Sequence, residues 1–65
     1  MSPALSLEAS AEAYLACGLE VDAAFCRRMA GDCRALGPIG EALYRHWASE
    51  QAQRASAKLA ERKAA

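Results

Sequence analysis

A chain of 65 residues makes one domain at most, and folding at this size removes only about 60% of the surface exposed by the unfolded form, which argues against a large enclosed pocket. Hydrophobic residues make up 54% of the sequence, but 17 of them are Ala and 3 are Cys, so the large side chains available for a core are few and a disulfide, a metal, self-association or a protein partner would help such a scaffold. Eight basic residues balance eight acidic ones, which counts against a nucleic-acid binder that works by a strongly cationic surface.

Ala, Leu, Glu, Arg, Lys and Gln dominate, the β-branched residues are Val21 and Ile39 alone, and Thr is absent. Strong helix formers without strand formers predict an all-α fold, a small two- or three-helix bundle made of a helical hairpin plus an N-terminal helix, with a long C-terminal helix. The expected helices cover about 4–17, 21–36 and 38–62 of a single domain spanning 1–65. The first starts at Ser2, with Pro3 in the favourable first turn, or at Ser6 with Glu8 at the positive end of the helix dipole. Leu7, Ala11, Tyr14 and Leu15 give it an apolar stripe, and Gly18 stops it.

The second helix carries Val21, Phe25, Met29, Cys33 and Leu36 at helical spacing, with Arg27, Arg28, Asp32 and Arg34 mostly elsewhere. Gly37-Pro38 ends it and opens the third. There Ile39, Leu43 and Trp47 are the apolar anchors before the sequence turns Ala-rich and charged. Val21, Phe25, Met29, Leu36, Ile39, Leu43 and Trp47 are the expected core, and replacing Phe25 or Trp47 by Ala would then cost about 3 to 5 kcal/mol. A third helix running to the last residue would be about 40 Å long, longer than its two neighbours can cover. The segment past Ala48 is therefore expected to project, fray or pair outside the chain. Ala48, Ala52, Ala55 and Leu59 recur at 4, 3, 4, the spacing of a close-packed seam.

Charge is sorted along the chain: residues 1–26 carry −4, residues 27–44 carry +1 and residues 45–65 carry +3. Such asymmetry suits an acidic first helix beside a basic last one, or a basic tail against an acidic partner. Cys17, Cys26 and Cys33 lack CxxC spacing. Cys26, Met29 and Cys33 share a helix face, and with Cys17 or His46 they would be soft donors for copper(I) or zinc; buried packing is the favoured reading, with no metal and no cofactor. Unpaired cysteines, the absence of a basic leader with an apolar run, and the absence of a long apolar stretch favour a cytoplasmic protein with no membrane contact. Ala and Arg usage suggests a bacterial or phage source.

His46 is the single histidine, and only Glu50, one turn on, is placed to pair with it. No nucleophile and base fall at a useful spacing, so no catalytic residue is expected. Cys33, Gly37 and Leu43 satisfy part of a helix-turn-helix pattern, but Pro38 and Gly40 loosen the start of what would be the reading helix. Tyr44, Arg45 and Trp47 have the composition of an interface hot spot. The expected function is therefore a non-enzymatic protein–protein interaction module, an oligomer, adaptor or inhibitor subunit, that binds itself or another protein through Tyr44, Trp47, Ala48, Ala52, Ala55 and Leu59. The alternative is a small nucleic-acid-binding regulator using Arg45, Arg54, Lys58 and Arg62 on phosphates.

Overall fold

The computed structural model describes residues 1–64. Three helices follow in order, α1 (Pro3–Ala16), α2 (Glu20–Leu36) and α3 (Pro38–Ala64), and no strand occurs among the described residues. These are the three helices that the sequence predicts, with small shifts at their ends.

Local chemistry explains each boundary. Ser2 is extended, and its hydroxyl accepts a hydrogen bond from the Leu5 N–H at 3.2 Å, with Pro3 in the first turn where its missing N–H costs nothing. At the other end Gly18 takes φ 73°. The Leu19 N–H then reaches the Tyr14 carbonyl at 2.9 Å and the Gly18 N–H reaches Leu15 at 3.0 Å, a Schellman closure that also folds Leu19 against the core beside Tyr14. Glu20 and Asp22 lie in the first turn of α2, where the helix dipole favours negative charge. Gly37, at φ 64° and ψ −139°, provides the turn to Pro38, a conformation open in practice only to glycine.

Helix α1 lies along the hairpin of α2 and α3 and contacts each of them more extensively than they contact one another. It runs antiparallel to α2, as the ion pairs Glu8–Arg34 and Glu12–Arg27 show. The acidic first helix does pack along the basic last one, as the charge sorting suggests, while its ion pairs are made to Arg27 and Arg34 of α2. Near the turn the backbone of α3 at Gly40 lies against the Cys33 carbonyl and the Leu36 side chain, and a Cβ on residue 40 would collide with the Cys33 backbone.

The core is built from small residues. Ala4, Leu7, Ala11 and Tyr14 on α1, Ala23, Cys26, Ala30 and Cys33 on α2, and Ala48, Gln51 and Ala55 on α3 are buried. Successive members of each set are three or four residues apart, the spacing by which neighbouring helices interlock at a shallow angle. Of the anchors predicted on α2 and α3, Met29 alone is buried. Val21, Phe25, Leu36, Ile39, Leu43 and Trp47 are exposed, and the expected core is corrected accordingly. Alanine and cysteine let α2 and α3 approach their neighbours closely, and the large side chains of the interior are Leu7 and Tyr14 of α1 and Met29 of α2.

The second correction concerns α3. Ala52, Ala55, Ser56 and Leu59 lie beside Ser6, Ser10 and Ala13 of α1, so the segment past Ala48 is covered by the chain itself as far as Leu59, and residues 60–64 beyond it are exposed. No helix of the described residues is long and apolar enough to cross a membrane.

Candidate interaction surface

The exposed apolar residues of α2 and α3 form one face. Along a helix each residue steps 100°, so residues two apart point to nearly opposite flanks. Arg27 and Arg34 mark the flank of α2 that meets α1. Phe25 precedes Arg27 by two and Leu36 follows Arg34 by two, which turns both away from α1. The contact of Gly40 with Cys33 and Leu36 shows that this same flank borders α3. On α3, Ile39, Leu43 and Trp47 recur every four residues, and Leu43 is half a turn from Ala52, which faces α1. Their stripe thus borders α2 on the side away from α1.

Exposure is large for side chains of this size: Val21 85%, Ile39 66%, Leu43 61%, Phe25 51%, Trp47 49% and Leu36 48%. Together they present on the order of 600 Å² of side-chain surface, at the upper end of the largest apolar patch on ordinary monomers. The Trp47 ring meets the His46 ring edge-on, with centroids 5.9 Å apart.

The predicted interface residues are divided by the structure. Trp47 lies on the exposed face. Ala48 and Ala55 are buried and cannot meet an outside partner without displacing α1, so their seam is internal. Tyr44, Ala52 and Leu59 are half-buried along its edges. Val21, Phe25, Leu36, Ile39 and Leu43 belong to the exposed face but were read from sequence as interior. The signal that separates them is residue size, since the small residues of each helix form their own stripe beside the large ones.

The residues of the nucleic-acid alternative are all exposed. Arg54, Lys58 and Arg62 share one flank of α3, one turn apart, whereas Arg45 stands on the opposite flank. Lys58 is 3.6 Å from Glu61, which offsets its charge. The basic residues therefore make a short stripe of three and not a surface of four.

At the centre of the bundle a polar cluster joins all three helices. The Tyr14 hydroxyl donates to Gln51 Oε1 at 2.8 Å, and the Cys26 thiol lies 3.7 Å from the same oxygen. Burial pushes the Tyr14 phenol and the Cys26 thiol above their ordinary pKa values, with the nearby negative charge of Asp22 acting the same way. Both groups are thus held neutral, as a hydrogen-bonded structural cluster requires. Cys33 is buried and Cys17 half-buried, all three thiols are free, and no group of three His, Cys, Asp or Glu side chains among the described residues is arranged to hold a metal ion. His46 Nε2 is 3.8 Å from Glu50 on an exposed surface.

At the rim of α1, Arg34 donates two hydrogen bonds to the Glu8 carboxylate, at 2.5 and 2.8 Å. This bidentate contact holds the Glu8 carboxyl below the usual carboxylate range and raises Arg34 in return. Compared with known proteins, the chain matches no family model, no curated protein and no solved structure.

Proposed function

We propose that this protein is a non-enzymatic helical interaction module that binds protein through the apolar face of α2 and α3. The observation that carries this reading is the exposure of Val21, Phe25, Leu36, Ile39, Leu43 and Trp47 along one face of a chain whose own core is filled by smaller residues. A large exposed apolar surface with a Trp near its middle and a few charged residues among its apolar side chains has the composition of a protein-binding site. The grooves elsewhere, such as that between Glu8, Glu12 and Arg27, are open and lined by paired charges, and they supply no nucleophile and base in contact. Three free thiols suit a reducing compartment such as the cytoplasm.

A photoreactive amino acid placed at Leu43 in cells tests the reading, with one at Gln53, exposed on α3 six residues beyond Trp47, as control. A discrete adduct from Leu43 and none from Gln53 is the expected result; equal labelling from both positions, or none from either, contradicts it.

The exposed stripe Arg54, Lys58 and Arg62 supports nucleic-acid binding as a second reading. It predicts measurable DNA or RNA affinity at about 50 mM salt that falls steeply as salt rises. Undetectable binding at the lower salt removes it.

A further inference from the structure

We propose that the occupant of the α2–α3 face is a second copy of this chain, packed face to face about a two-fold axis that crosses both helices. The proposal rests on the interaction-module reading and names its partner. Three observations support it.

The first is area. The exposed apolar side chains give on the order of 600 Å², and their charged neighbours bring the face close to the ~800 Å² that each partner contributes to a stable complex of standard size. A face of this size can be satisfied by one like itself.

The second is charge. Arg28 and Asp32 lie one turn apart within the face on α2, between Phe25 and Leu36 along the helix, and Arg28 borders Val21 and Phe25 at the surface, so the face carries one charge of each sign near its middle. Among the described residues neither Arg28 nor Asp32 makes an ion pair within 4.0 Å, and both are exposed. A two-fold axis crossing α2 between them sets Arg28 against Asp32 of the second copy, and the reverse pair forms by symmetry. A pair of opposite charges one turn apart meets its own copy about such an axis without opposed like charges.

The third is the arrangement of the apolar residues under that axis. The contacts of Gly40 with Cys33 and of Gln51 with Cys26 set the register of the hairpin, which places Met29 and Trp47 at about the same level as the Arg28–Asp32 midpoint. Trp47 then lies beside the axis, and Leu36 near the turn of one copy reaches Phe25 of the other. The largest side chains excluded from the small-residue core become the centre of a four-helix layer, with α1 outside it in each copy.

The test is absolute mass by light scattering of the purified full chain, with reductant present, from about 1 μM to about 500 μM, where a complex of this size and modest affinity changes state. Twice the 6.9 kDa of the chain is expected. Arg28→Asp should weaken association by roughly tenfold or more, since it opposes two carboxylates, and the swapped double variant Arg28→Asp with Asp32→Arg should restore it. Both positions are exposed, so circular dichroism should show unchanged helix content. A monomer at every concentration overturns the proposal, as does a dimer indifferent to both Arg28→Asp and Trp47→Glu. A monomer that still gives a discrete heavier adduct from Leu43 in cells overturns the second copy while leaving the interaction face standing; absence of both overturns the face as well.

Discussion

Gly40 is the position where a single methyl group has the clearest consequence. Its α-carbon faces the Cys33 backbone, which cannot rotate away, so a Cβ there must push α3 off α2. Gly40→Ala is expected to lower stability by about 3 kcal/mol, despite the higher helix propensity of Ala; calorimetric melting checks it, and an unchanged or raised Tm would show that the helices are not in contact there. Phe25 and Trp47 behave differently from sequence expectation. About half of each side chain is already in water, so replacement by Ala should cost the isolated chain about 1–2 kcal/mol and not the 3 to 5 of a buried ring. Glu8 sets an acid limb. Its carboxyl titrates lower in the folded chain than in the unfolded one, so its contribution is present above the ordinary value of 4.5 and is lost as pH falls through the lowered folded value. Glu8→Gln should flatten the dependence of Tm on pH in that window, and a profile unchanged by the substitution would show the Arg34 contact to be energetically idle. Tyr14 and Cys26 act at the other extreme: their raised folded pKa values mean that stability declines as pH rises above the ordinary thiol and phenol values of 9.0 and 10.0.

At the level of the helices, boundaries were legible and orientation was not. Ser2-Pro3, Gly18 and Gly37-Pro38 act through the local backbone, which is why the three helices fall where the sequence predicts. Which flank of each helix faces inward depends on how closely the helices approach, a property of pairs. Reading large apolar residues as core placed Phe25, Leu43 and Trp47 inside, yet Ala23 with Ala30, Cys26 with Cys33 and Ala48 with Ala55 repeat every seven residues and fill the interior. The Ala48–Leu59 seam was correctly legible as a packing surface, but its partner α1 was not, because helix lengths alone do not tell how far along α3 a neighbour begins. Ala55→Leu tests the seam. With Ala55 buried against α1 the larger side chain should cost about 1–3 kcal/mol, whereas a seam open to solvent would accept it without loss.

Over the whole molecule, the fold spans 40 × 17 × 13 Å, its length set by α3. Within that narrow body α1 stabilises the hairpin from one side, and the opposite side carries most of the large apolar side chains. Folding and binding thus draw on different residues: small side chains and the Tyr14–Gln51–Cys26 cluster hold the three helices, while Phe25, Leu43 and Trp47 remain available to a partner. That separation is tested most directly by the helix content and thermal melting of the double variant Leu43→Glu with Trp47→Glu, followed by circular dichroism. The chain should keep its helical signal and melt cooperatively, at a somewhat lower temperature, because both positions are about half exposed or more and a carboxylate at either can reach water. Loss of the helical signal would show that these side chains hold the three-helix fold together, and would contradict the assignment of the α2–α3 face as a binding surface.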